Sequence, residues 1–371
     1  MEFNFLYMRG RVALSKILSG LGVKKGDIVA IQAFTCTAVP EAIMSIGAIP
    51  IYADLEKNSV NMCVNSLEAL INSKNVSIVI IQHTFGIPAN IDQIIDLCKL
   101  NRIKVIEDCC HTLNSEYKGR IIGNFSSASF YSFEWGKPII AGIGGASSTT
   151  DPELLDYLEN DYKSMKKPGF ITNLKLFIQI VSYRILYRPS LYWFLKDAFH
   201  TLGKKGLLKT NFEENINFLG DSVSQDFKFK MPLISKLYLK FTMRKISTEL
   251  ATRERLSRFY EKISSKILTD SIIPVSGSSN SKNVYSRFPL IVENKKKLVK
   301  DARKDRVEIA TFFDSPVHPL SQNELGHVNY AIGSCPNAED LCKKLISLPV
   351  NSRINESKIE EMMTYISKKV V

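Results

Sequence analysis

The chain has 371 residues, with 45% hydrophobic and 23% charged residues and a net charge of +12. That composition excludes a disordered or fibrous protein and leaves room for a large core in about two domains. The basic balance would suit nucleic acid, an anionic surface or a phosphorylated ligand. The lysines are scattered, however, many in polar helical stretches such as ENKKKLVKDARKD, which reads as a solvated surface. No RNA-binding signature and no zinc spacing is present, so neither nucleic acid nor metal is expected. Seven cysteines (Cys36, Cys63, Cys98, Cys109, Cys110, Cys335 and Cys342) form no paired framework, as for free thiols in a reducing cytoplasm. The start, MEFNFLYMRGRVAL, lacks the basic and apolar regions of a signal peptide.

The first residues read as an aromatic strand. Gly10 then turns into a helix with apolar Val12, Leu14, Ile17, Leu18 and Leu21 at helical spacing. The backbone N–H groups of a helix start are a ready phosphate site, and Arg11 adds charge there. DIVAI reads as a buried strand, AVPEAIMSIG as a helix, and IPIYADL as a strand ending on Asp54. SLEALINSK is a helix, VSIVIIQHTFG a strand and loop, NIDQIIDLCKLN a helix, and IKVIED a strand. Apolar, unalternating strands between helices predict a parallel sheet covered on both faces. Ligands of such sheets bind beyond the carboxyl ends of the strands, where Cys36, His83, Asp108 and His111 fall.

Residues 151–167 read as a charged helix. Residues 168–206 are rich in aromatic and aliphatic side chains with interspersed Lys175, Arg184, Arg188 and Lys196. The uncharged runs are too short to span a bilayer. The segment reads as a helical hairpin broken at Pro189. Its basic, aromatic character also suits a helix lying on a membrane surface. Residues 207–226 read as a loop, and 233–268 as a long helix, bent if anywhere, that links domains. NVYSRFPLIVE follows as a strand, KKKLVKDARKDRV as a helix, EIATFFD as a strand, NAEDLCKKLISLP as a helix, and INESKIEEMMTYISKKV as the last helix. This is a small α+β unit, so a large domain over 1–235 and a small one over 236–371 are expected.

Residues 103–145 carry the chemistry. Asp108 ends the IKVIED strand, His111 follows, and one lysine, Lys137, stands after the strand-like SASFYSF and before a Gly-Gly pair. A carboxylate at one strand end and a lone amine after another suit pyridoxal phosphate (PLP). The amine condenses with the cofactor aldehyde, and the carboxylate keeps the pyridine nitrogen protonated.

The phrases KKGDIVAIQAFTCTAVPEAIMSIGAIPIYADLE, HTFGIPANIDQI, KVIEDCCHTLNSEYKGRIIG, SFYSFEWGKPIIAGIGGAS and SLPVNSRINESKIEEM resemble the DegT/DnrJ/StrS family of PLP-dependent nucleotide-sugar aminotransferases. The resemblance runs over about 9–150 and 235–366 and leaves 168–206 outside the usual pattern. It implies the type I fold of PLP-dependent transferases: a large domain with a mostly parallel sheet between helices, and a small α+β domain. It implies that Lys137 bonds the cofactor, that Asp108 faces the pyridinium, and that His111 lies beside the ring. It places Ser132 and the stretch Gly10, Arg11 and Val12 at the phosphate. Cys36 falls where the family often has a ring-stacking aromatic, and Phe34 is the substitute two residues away. Lys228 falls where a partner-subunit residue reaches the phosphate. His83, Phe85 and His318 are candidates for substrate contact.

The expected function is transfer of an amino group, from glutamate, to a nucleotide-linked keto-sugar in glycan assembly. A homodimer is implied, in the cytoplasm, with membrane contact through 168–206 as an addition. One alternative is a dehydratase on the same scaffold, although such enzymes replace the lysine with histidine. The other is a non-catalytic scaffold at the membrane surface, which the retained pair Lys137 and Asp108 argues against.

Overall fold

The computed structural model describes residues 3–186, 193, 225–266, 271–275 and 280–370. Its centre is a seven-stranded sheet: β1 (Phe5–Tyr7), β2 (Ile28–Gln32), β3 (Ile49–Ala53), β4 (Val76–Gln82), β5 (Lys104–Asp108), β6 (Ala128–Ser132) and β7 (Gly145–Thr149). The spatial order is β1-β7-β6-β5-β4-β2-β3. Neighbours from β6 to β3 pair parallel, and only β7 runs against them. The near-continuous apolar runs of β2 and β4 follow from this: both faces are covered, so neither alternates.

Four helices supply much of that cover: α1 (Gly10–Gly20), α2 (Ala38–Met44), α3 (Val64–Ser73) and α4 (Ile91–Leu100). α1 is buried at Gly10 to Ser15, Ile17 and Leu18. Its start lies hard against the sheet. A Cβ on Gly10 would come within 3.1 Å of Ser132 Cβ and 3.2 Å of the Tyr131 carbonyl, and one on Gly145 would collide with the Arg9 carbonyl. Two glycines therefore let a helix N-terminus touch the ends of β6 and β7.

α5 (Pro152–Ser164) starts on Asp151, which accepts from the N–H groups of Glu153 and Leu154. α6 (Phe170–Leu186) is one continuous helix, seated by buried Leu176 and Ile180. The rest of the 168–206 insertion apart from residue 193, with Pro189, and residues 207–224 of the loop read over 207–226 lie outside the described residues.

The long helix expected over 233–268 is two: α7 (Leu233–Met243) and α8 (Ile246–Ser264). The break coincides with Thr242, whose hydroxyl bonds the Tyr238 and Ile140 carbonyls, and with a tightened turn from Lys245 N–H to the Thr242 carbonyl.

A three-stranded antiparallel sheet follows, in the order β8 (Ile272–Pro274), β9 (Arg287–Val292), β10 (Leu345–Pro349). With it are α9 (Lys295–Lys304), α10 (Pro336–Lys344) and the terminal α11 (Glu356–Val370). Two expectations are corrected here. LISLP is strand β10, fully buried, and not the end of a helix. EIATFFD is irregular, with a single bridge from Ala310 to Ser347 on the edge of β10 that β9 leaves open.

A candidate cofactor cleft at the strand ends

Asp108 ends β5 and Gln82 ends the neighbouring β4; the two are register partners. In parallel strands register partners share a face. Both line one cleft, together with Gly10, Ser132 and Lys137. Glu107 and His83 fall on the other face, where His83 Nε2 lies 3.4 Å from Glu107 Oε2 and both are fully buried. Strand period thus separates two adjacent acids, Glu107 and Asp108, into different roles.

Asp108 Oδ1 accepts the Cys110 N–H at 2.9 Å. Burial pushes the Asp108 carboxyl upward, opposed by that N–H and by the charge of Lys137. It is a buried carboxylate short of a full cationic partner, and a protonated ring nitrogen would meet that need. Lys137 lies across the cleft in the turn after β6, closed by its N–H to the Glu134 carbonyl at 3.2 Å. Gly136 supplies the positive φ that this turn requires.

His111 also lines the cleft, stacked on Phe85 at 5.9 Å between centroids. Its Nδ1 accepts the Phe85 N–H at 3.3 Å, which leaves the proton of the neutral ring on Nε2. Burial, and then Lys137, hold its pKa well below the usual imidazole range. The ring is therefore a neutral donor at the cleft wall.

The start of α1 fits an anion. Its first turn holds no acid, Arg9 at the N-cap makes no side-chain cap bond, and Ser132 stands beside Gly10. Both arginines line the cleft, and each is held by an acid. Arg11 Nη1 bonds the Glu41 carboxylate, so its charge offsets an acid within the wall. Arg9 holds Glu134 at 3.0 Å and Asp226 at 2.5 Å. Burial lowers the Arg9 pKa, but the two carboxylates outweigh it and the net shift is upward. Glu134 lines the cleft with its charge offset by Arg9, and its carboxyl is held low despite burial. Arg11 lines the cleft with its guanidinium held by Glu41, next to the helix start and Ser132.

The remaining candidates divide. Cys36 lines the cleft. Phe34 does not: it is fully buried and edge-on to Phe313 at 5.1 Å. Val12 is core. His83 and Phe85 lie behind the wall, His83 with Glu107 and Phe85 under His111. His318 is in a two-residue strand paired with Thr35–Cys36, while its neighbours Pro319 and Leu320 reach the cleft. Lys228 is exposed in the turn Gln225–Lys228, outside the cleft of its own chain. Gln82 and Phe313 are cleft residues that sequence reading missed. Register pairing with Asp108 was the signal for Gln82. Phe313 arrives from an irregular segment and had none.

The fold and cleft define a type I PLP-dependent transferase architecture. The chain belongs to the DegT/DnrJ/EryC1/StrS aminotransferase family, whose model matches residues 8–367. Aminotransferases of this family are PLP-dependent. Among curated relatives, a GDP-perosamine synthase of Escherichia coli O157:H7 is 37% identical over 147 residues, 40% of each chain. The spore coat polysaccharide biosynthesis protein SpsC of Bacillus subtilis is 23% identical over 359 residues, 95% of this chain and 81% of that one. The chain spans less than half the length of the first curated relatives it matches, at 40%, 28% and 46%. In structure, DesV of S. venezuelae superposes with a TM-score of 0.73 at 20% identity, covering 98% of this chain and 84% of that one.

Proposed function

We propose that this chain is a cytoplasmic PLP-dependent aminotransferase. It moves an amino group from glutamate to a keto-sugar carried on a nucleoside diphosphate, for glycan assembly, and works as a homodimer. The observation that carries the reading is Asp108 and Lys137 facing one cleft whose floor is an acid-free helix N-terminus. When bound, PLP supplies an aldehyde for amines and a ring that accepts electrons.

The chain's own residues do the rest. The α1 amides and Ser132 hydroxyl bind the phosphate, and Asp108 orients the ring by ion-pairing its nitrogen. Nε2–H of His111 donates into the cleft. Lys137 Nζ would hold the PLP aldehyde and, as an amine in the cleft, would carry a proton to and from the substrate carbon. Phe313, Pro319 and Leu320 wall the cleft and exclude water.

Relatives support the substrate class. One is named for GDP-perosamine, and another, 32% identical over 146 residues, for UDP-N-acetyl-3-dehydro-alpha-D-glucosamine. The two intact groups Lys137 and Asp108 favour amino transfer over a scaffold role. The test is a titration of the PLP-loaded protein with glutamate, followed by absorbance and by release of 2-oxoglutarate. Loss of the visible band with stoichiometric 2-oxoglutarate supports the reading. An unchanged spectrum with glutamate and every other amino donor overturns it.

A further inference from the structure

The outer face of α6 and α7 carries a group of exposed apolar side chains that the cleft does not use. α6 is apolar on two sides. Leu176 and Ile180 face the protein. On the opposite side Phe170, Ile171, Leu174, Phe177, Ile178 and Ile185 stand exposed at helical spacing, Phe170 by 78%. Leu233, Leu237 and Phe241 expose a matching stripe on α7, Leu233 by 62%. The Arg184 guanidinium of α6 sits 4.6 Å from the ring centroid of Phe241, which joins the two stripes. A contiguous apolar face of this kind marks an interaction surface.

Charge selects the occupant. No Asp or Glu occurs between Asp161 and Asp197, or between Asp226 and Glu249. Lys166, Lys167, Lys175, Arg184, Lys240 and Arg244 are exposed on these helices and the turns beside them. Lys245 lies 5.0 Å from the Phe241 ring, so two cations frame the apolar face. A second copy laid on this face would bring like charges together. An anionic lipid surface complements both features, apolar side chains for the acyl boundary and cations for the headgroups. α6 has 17 residues, and among the described residues no helix is long and apolar enough to cross a membrane. The geometry points to docking in the plane of the bilayer: we propose that the α6–α7 face binds the surface of an anionic membrane. The inner side of α6 packs on the cleft, with the Tyr183 ring tilted against Trp135, a cleft residue, at 4.5 Å between centroids. Docking therefore sets the cleft beside the bilayer. This inference stands whether or not the proposed sugar reaction holds.

The experiment is sedimentation of the full-length, PLP-loaded chain with vesicles. Phosphatidylcholine–phosphatidylglycerol vesicles are compared with phosphatidylcholine alone, at low and high salt. Wild type should pellet with the anionic vesicles only, and less as salt rises. The double variant Phe177→Glu with Ile178→Glu should lose about tenfold or more in partitioning, with its cofactor spectrum and melting temperature unchanged. Failure of wild type to pellet overturns the proposal, as does equal binding by the variant. A variant that binds vesicles like wild type but has a smaller sedimentation coefficient without lipid would assign the face to a second copy instead.

Discussion

Replacing Glu107 by Gln tests the wall behind the cleft. Its carboxylate is fully buried. Oε1 accepts the N–H groups of Phe125 and Ser126, at 2.7 and 2.8 Å, and the Ser126 hydroxyl at 3.1 Å. Oε2 accepts the Gly123 N–H at 2.7 Å and faces His83 Nε2 at 3.4 Å. Burial alone would raise the Glu107 pKa, but His83 and these N–H donors outweigh it and hold it low. Glutamine keeps the shape and loses the charge, and its NH2 group must face donors on one side. At least one buried N–H is orphaned and several charge-assisted bonds become neutral, which costs about 4 kcal/mol. An unfolding entropy near 2.1 cal/mol/K per residue gives roughly 0.8 kcal/mol/K for 371 residues. The expected fall in melting temperature is about 5 °C.

The assay is thermal unfolding of the cofactor-free protein, so that ligand binding does not offset the loss. A folded-state pKa held low means stability is present above the unfolded value and lost as pH falls through the folded one. The gap between Glu107→Gln and wild type should therefore be full at neutral pH and narrow toward acid. A variant that melts within about 1 °C of wild type at neutral pH would refute the reasoning.

Two further outcomes follow from the same geometry. Gly145→Ala should displace the start of α1 from Ser132, because the added Cβ meets the Arg9 carbonyl and the Gly10 nitrogen, which are backbone and cannot swing away. PLP affinity, read by absorbance titration, should fall by about tenfold or more, and a change under about twofold would contradict the assigned phosphate floor. His111 has its pKa lowered by folding, so the unfolded chain takes up more protons as pH drops below about 6.5. The stability linked to it is present above that pH and lost below it. His111→Asn should flatten the decline of melting temperature between about pH 6.5 and 5, whereas parallel curves would show that His111 is not the buried neutral group described.

The sheet was legible because its strands are buried on both faces: VSIVIIQ and IKVIE announce themselves without alternation. Asp108, Lys137, Ser132 and Gly10 were legible because strand ends and a helix start are marked locally. Sidedness was not. His83 looked as eligible as Gln82 until the register of β4 on β5 put Gln82 beside Asp108, while the His83 side chain turns to Glu107. Arg11 looked free until Glu41, thirty residues on, took its guanidinium. LISLP follows a helix, and a short apolar run cannot by its pattern tell strand from helix; pairing with β9 decides it. Phe313 joins the cleft through tertiary packing against His111 and Phe34, at a sequence distance no local pattern spans.

The central claim is that Lys137 holds PLP in this cleft. Its most direct measurement is borohydride reduction of the PLP-loaded protein, followed by peptide mass spectrometry, on wild type and Lys137→Ala. The account predicts a phosphopyridoxyl group on the peptide at Lys137, and no stoichiometric label in the variant. Labelling at another lysine in wild type, or none under saturating PLP, would contradict it.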